Sequence, residues 1–289
     1  DDVRRQRDVA GRLGANTVAG LGFFASSGAG ALEGCIKAAR RFHHVQGNPH
    51  KYRIIGANSA FHGRTLATIS AGNNAKHLEG FGPRVGGFDH VAFNNPNELR
   101  AAITEETAAV LVEPIQGEGG IAPADLSYLR ALRETCDEFG ILLIYDEVQC
   151  GVGRTGRLFA HQWADGTADP DLMAVAKGIG GGFPLGCFLG TTEAMAGISA
   201  GMHGTTYGGK PLASPAGCAV LAVAWQPQVP ASGQKGVWSD ANAAASGTAA
   251  NGLGGGGAAG GGGAGGCGDA GGGDGSGGFG EGGGGAPGL

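Results

Sequence analysis

Residues 141–186 constrain the fold more than any other stretch of the chain. They read ILLIYDEVQCGVGRTG, then a spacer, then DLMAVAKGIGGGFPLG. The apolar run over 141–144 gives way, one tyrosine later, to two carboxylates, Asp146 and Glu147. A continuous apolar run of this kind predicts a strand buried on both faces. The pattern repeats over 172–176, which runs into Lys177 and then a glycine-rich turn. In open α/β sheets, ligands sit beyond the carboxyl ends of the strands. A lysine that ends a buried strand is seldom there for packing, because ammonium groups are rarely buried without a partner. The plain alternative is a buried Asp–Lys ion pair at a sheet edge, and these two residues alone do not separate the readings.

The flanking sequence alternates strand and helix. Residues 108–112 are apolar and read as a strand leading into EPIQGEGG, which sets Glu113 and Glu118 near the same sheet edge. Residues 125–139 are amphipathic, with Leu126, Leu129, Leu132 and Cys136 at helical spacing and Gly140 as the stop. Residues 18–25 and 51–57 read as strands, and 185–190 as an antiparallel strand. Residues 78–95 read as a loop with a short strand. Helices are predicted over 3–13, with Arg4, Arg5 and Arg7 on a solvated face, and from about residue 211. This alternation argues for an α/β fold, a mostly parallel sheet with crossover helices. Between the first two strands lies SSGAGALEGCIKAARRF. Ser26 or Ser27 can cap a helix there, and Leu32, Cys35, Ile36 and Ala39 fall on one helical face. Free N–H groups at a helix start make a phosphate site, and Gly28 lets a ligand approach the backbone. An ordinary capped helix is the plain alternative.

An acid and an amine at two neighbouring strand ends suit pyridoxal 5'-phosphate (PLP). That cofactor needs a lysine for a Schiff base and an acid against its pyridine nitrogen. The adjacent negative charge keeps the nitrogen protonated.

The ordered pair IYDEVQCGVGRTG and AVAKGIGGGFPLG resembles the class III aminotransferases, PLP enzymes of fold type I, and within them the acetylornithine branch. The similarity spans about residues 16–224. It implies the large PLP-binding domain of that fold over 1–225, incomplete at both ends. It also implies site residues. Lys177 would carry PLP and move the proton, and Asp146 would hold the ring nitrogen. Phe61 and Val148 would flank the ring, Gln149 would reach its phenolic oxygen, and Ser27, Gly28 and Ala29 would hold its phosphate. Thr206, in MHGTTYGG, would reach the phosphate of a second subunit, implying a homodimer with shared sites. Arg64 would bind a substrate carboxylate, as a guanidinium fork does, and Glu118 would be the acid that pairs with a switch arginine. The family usually has Glu at Gly30 and Asn at Lys210. The implied reaction passes an amino group from N2-acetylornithine to 2-oxoglutarate, in arginine biosynthesis. Ornithine, succinylornithine or 4-aminobutyrate as donor, and a PLP-binding fragment without a full cycle, remain alternatives, as does a glycine-rich structural protein.

Composition excludes other classes. The net charge of −5 suggests neither nucleic acid nor an anionic membrane as partner. No apolar run reaches the ~18 residues of a membrane span, and no signal peptide is evident. Six cysteines without a CxxC pair predict reduced thiols in a cytoplasmic protein, with neither disulfide framework nor metal site.

Of the 289 residues 62 are glycine, against a usual share near ~7%. The excess lies in 226–289, where hydrophobic periodicity ends. Such a segment buries too little apolar surface to offset ordering, which predicts a disordered tail where the family carries a small C-terminal domain. A reading-frame shift in GC-rich DNA or a native linker would each produce it. Arg157 is the last arginine, so Arg64 is left to bind one carboxylate of 2-oxoglutarate and the second lacks a guanidinium. A buried Glu118 would then repel the diacid, which predicts weak PLP binding and slow turnover for this chain.

Overall fold

The computed structural model describes residues 2–224; the tail expected over 226–289 lies outside them. In chain order the elements are α1 (Asp2–Gly14), β1 (Leu21–Ala25), α2 (Gly28–Val45), β2 (Arg53–Ala57), α3 (Leu66–Gly72), α4 (Ala75–Leu78), β3 (Phe88–Val91), α5 (Pro96–Ala102) and β4 (Thr107–Val112). A small hairpin follows, β5 (Ile115–Gln116) and β6 (Ala122–Pro123), then α6 (Leu126–Phe139), β7 (Leu142–Asp146), β8 (Leu172–Val175), β9 (Gly186–Gly190), α7 (Thr192–Met195) and α8 (Ala213–Ala224). Short 3₁₀ turns occupy Ala160–Ala164 and Lys177–Gly180.

Seven strands form one sheet in the order β1-β9-β8-β7-β4-β2-β3. Pairings from β8 through β7, β4 and β2 to β3 are parallel, whereas β9 runs antiparallel to both of its neighbours. The inner strands β4, β7, β8 and β9 are buried on both faces, as continuous apolar runs require. On one face Leu32, Cys35 and Ile36 of α2 pack against Ile54, Leu111, Ile144 and Phe188. On the other, Leu129, Leu132 and Cys136 of α6 pack against Val110, Leu143 and Tyr145, with Val9 and Leu13 of α1 in the same cluster. The result is a three-layer α/β/α arrangement.

Several boundaries move inward from the sequence expectation. The strand expected from residue 18 begins at Leu21, where pairing with Gly190 starts. The helix expected from about residue 211 begins at Ala213, whose N–H, like that of Ser214, donates to the Lys210 carbonyl. The EPIQGEGG stretch after β4, for which the sequence suggests no element, contributes β5 of the β5–β6 hairpin.

Parallel pairing has one consequence for chemistry. The carboxyl ends of β2, β4, β7 and β8 reach one edge of the sheet, and β1 ends there too because β9 reverses direction between it and β8.

Candidate active site

A cleft of about 390 Å³ opens at that edge. Each wall is the segment just beyond a strand. Ser26, Ser27, Gly28 and Ala29 follow β1, and Phe61, His62, Gly63 and Arg64 follow β2. Glu113 follows β4, Asp146, Val148 and Gln149 close β7, and Lys177 follows β8. Phe183 and Leu185, just before β9, complete the lining.

Ser27 has extended backbone and its Oγ accepts from the Gly30 N–H at 3.1 Å. The cap satisfies the Gly30 N–H, while the N–H groups of Gly28 and Ala29, both at the cleft lining, precede the first intrahelical bonds of α2. Gly28 is required by close packing, since a Cβ there would stand 2.7 Å from Val148 Cγ1.

Asp146 is buried, and both of its oxygens are held. Oδ2 contacts His62 Nδ1 at 2.8 Å, and Oδ1 accepts from the Val148 N–H at 3.0 Å. Burial alone disfavours a charged His62, but the hydrogen bond and charge of Asp146 outweigh it and raise the imidazole pKa above its ordinary value. His62 Nε2 is buried and has no partner among the described residues. Glu113 lies beside this pair and accepts from the Phe61 N–H at 2.9 Å. Burial and the Asp146 charge push the Glu113 carboxyl up to about 7, against the opposing pull of His62.

Lys177 is exposed in the cleft and its Nζ donates to Gln149 Oε1. Its φ of 46° is a left-handed conformation in a residue other than glycine. Such backbone is uncommon and clusters at functional sites. Phe61 lies under Arg64, whose guanidinium carbon is 5.3 Å from the ring centre.

Glu147 faces away from the cleft. Its carboxylate accepts from the backbone of Ala160 and His161 and pairs with His161 Nδ1 at 2.8 Å. It ties the end of β7 to the following loop, which carries Val148 and Gln149.

Of the residues singled out from sequence, Ser27, Gly28, Ala29, Phe61, Arg64, Asp146, Val148, Gln149 and Lys177 come together in this one cleft. Two do not. Glu118 is exposed near the tip of the β5–β6 hairpin and does not line the cleft. This corrects the expectation of a buried carboxylate at the sheet edge: the hairpin lifts it into water, where solvent screens its charge. Thr206 is exposed and also outside the lining. Sequence reading missed the partnership of His62 with Asp146. His62 stands between Phe61 and Arg64 in the sequence, but its partner is 84 residues away and no local pattern announces it.

The sequence profile of the family described as aminotransferase class-III matches residues 5–235. The acetylornithine aminotransferase of Mesorhizobium japonicum is 58% identical over 222 residues, covering 77% of this chain and 55% of that protein. Among solved structures, a transaminase from the marine bacterium Virgibacillus superposes with a TM-score of 0.73 at 29% identity, covering 79% of this chain and 55% of that one. An amine transaminase from an uncultivated Pseudomonas species, in PLP-bound form, gives 0.72 at 30% identity, covering 78% of this chain and 58% of that one. The chain thus spans about half the length of the curated relatives it matches. Family profile, sequence relatives and folded neighbours agree with the strand-end cleft, and the chain belongs to the class III aminotransferases.

Proposed function

We propose that this chain binds pyridoxal 5'-phosphate in the strand-end cleft and acts in transamination of N2-acetylornithine with 2-oxoglutarate. The carrying observation is the convergence of Lys177, Asp146 and the Ser27-capped start of α2 on one cleft. The residues present fit the cofactor. The helix start offers N–H groups to a phosphate, and Asp146 keeps spare lone pairs beside its two donors. Phe61 and Val148 supply apolar surface to a flat ring. When bound, the cofactor supplies an electron sink for the carbon that carries the substrate's amine.

The residues divide the remaining work. Lys177 would hold the cofactor through Nζ and, once released, would move the proton from the substrate carbon to the cofactor. Gln149, which accepts from Nζ in the structure, orients that amine. Asp146 holds the proton on the ring nitrogen, and His62 and the Val148 N–H keep its carboxylate in one orientation. Ser27, Gly28 and Ala29 bind phosphate, and Arg64 binds a substrate carboxylate. Thr206, outside the cleft, serves it from a second copy, so the reading includes a homodimer; it also places the enzyme in the cytoplasm. The relative from Mesorhizobium japonicum supports the acetylornithine assignment by its name and its 58% identity.

Borohydride reduction of the PLP-treated chain followed by peptide mapping tests the reading. The pyridoxyl label is expected on Lys177. Recovery on Lys37, Lys51 or Lys210 instead would overturn it.

A second reading, cofactor binding without an efficient full cycle, is favoured by one feature: Arg64 is the single arginine among the described residues that line the cleft. A dicarboxylate needs a cationic partner at each end in a partly desolvated site. Glutamate formation from acetylornithine and 2-oxoglutarate separates the two readings. The second predicts turnover far below that of a full-length relative, and equal rates would dismiss it.

A further inference from the structure

Helix α2 carries a second pattern that the strand-end cleft does not use. Lys37, Arg40, Arg41 and His44 lie at i, i+3, i+4 and i+7, which puts four basic residues on one helical stripe. They line a separate cavity of about 460 Å³, with Tyr52 and Met202 among its apolar walls. Cavities of this size hold small molecules.

The cations are positioned but not neutralised. Lys37 Nζ donates to the Met202 carbonyl at 2.9 Å. Arg40 donates from Nε to the Tyr52 carbonyl at 3.0 Å and from Nη2 to the Gly86 carbonyl at 3.2 Å. Arg41 Nε donates to the Gly197 carbonyl at 3.4 Å. These acceptors are backbone, and Lys37 Nζ also contacts the ring nitrogen Nδ1 of His203 at 3.0 Å. Among the described residues no carboxylate forms an ion pair with Lys37, Arg40 or Arg41, although Arg53, Arg100 and Arg157 each have one and Arg133 has two. The bonds also leave Arg40 Nη1 and both Nη atoms of Arg41 without acceptors among the described residues. Burial draws the Arg40 pKa below its ordinary value, against the weaker opposing pull of Tyr52 and Glu33. In a chain of net charge −5, a cationic groove whose acidic neighbour Glu33 accepts from Thr65 Oγ1 at 2.6 Å rather than forming an ion pair with these cations calls for an external anion.

We propose that this groove is a binding site for a phosphomonoester with an apolar, ring-sized body, the chemical class of nucleoside phosphates. Two guanidinium groups and an ammonium offer donors from several directions, which a phosphate with three terminal oxygens accepts, whereas one guanidinium fork already satisfies a carboxylate. Tyr52 (37% exposed) and Met202 (40% exposed) leave apolar surface open beside the charges, where a ring would lie.

Titration calorimetry of the purified chain tests this, with AMP, inorganic phosphate and adenosine as probes. AMP is expected to bind saturably, at least about tenfold more tightly than either of the others. Lys37→Gln, at an exposed side chain, and Arg41→Gln should each weaken AMP by about tenfold, the loss of one charge-assisted hydrogen bond. Ser27→Ala, at the other phosphate-like site, should leave AMP binding unchanged. Absence of saturable AMP binding, or wild-type affinity in Lys37→Gln, would overturn the proposal. So would equal affinity for inorganic phosphate and AMP, which would mean an anion pocket without a place for the ring. Loss of AMP binding in Ser27→Ala would assign the ligand to the strand-end cleft and overturn it equally. None of these outcomes depends on where the cofactor attaches.

Discussion

Asp146 takes one hydrogen bond on each carboxylate oxygen, from His62 Nδ1 and from the Val148 N–H. A carboxylate held in this way presents its charge in one direction without reorganising as the reaction proceeds. Asp146→Ala removes a charge-assisted contact worth roughly 1.5–3 kcal/mol, so the half-reaction with the amino donor should slow by at least about tenfold. Attachment at Lys177 should survive. Stopped-flow absorbance on the variant gives both quantities, and an unchanged rate would reduce Asp146 to a structural role. His62 belongs to the same unit, yet its side chain reads in sequence as one more polar residue after a strand. Only the fold shows that burial has removed every other partner from it.

At the scale of elements, α2 is the part of the molecule most exposed to its glycines. Its core face is apolar, its start is capped by Ser27, and its far face carries the basic stripe. Gly30 and Gly34 lie one turn apart on it and predict opposite outcomes. A Cβ at Gly30 would meet Ala25 Cβ and Ser27 Oγ at 3.4 Å, which is ordinary contact. Gly30→Ala should therefore stabilise the helix, by up to about 1 kcal/mol. A Cβ at Gly34 would stand 2.2 Å from the fully buried ring of Phe188 on β9. Gly34→Ala should cost about 1–3 kcal/mol through overpacking, despite its better helix propensity. Urea denaturation of the two variants checks the pair, and destabilisation of both to the same extent would show that the first turn of α2 is also too tight.

For the whole molecule, the buried cluster at the strand ends predicts how stability follows pH. The carboxyl of Glu113 is raised from an ordinary 4.5 to about 7 by burial and by Asp146. Between those values the unfolded chain releases this proton while the folded chain keeps it, so stability falls as pH rises through that window. His62 acts in the same direction. Its raised pKa contributes stability that is complete below 6.5 and is lost as pH climbs through the folded value. Glu113→Gln keeps an acceptor for the Phe61 N–H and removes the carboxyl. Its melting temperature should gain on that of the unmodified chain between pH 4.5 and 7, by the equivalent of about 3 kcal/mol at most. Parallel pH profiles for the two proteins would show that Glu113 does not titrate in this window.

Much of this was legible in residue order, because the signals are local. Apolar runs that stop at Asp146 and Lys177, a serine before an amphipathic helix, and Gly140 after one each act over a few residues, and the structure carries all of them. The same holds for the cleft, since parallel strands necessarily gather their carboxyl ends on one edge. What local order could not supply is adjacency. Residue order reads 185–190 as an antiparallel strand but does not dictate that β9 lies between β1 and β8, which brings Leu185 to the cleft. It does not join His62 to Asp146, or reveal that a small hairpin carries Glu118 away into solvent. It likewise does not show that the four cations of α2 line one cavity. These are outcomes of packing between distant segments, where the cost of burying one polar group depends on which partner the rest of the chain has already placed beside it.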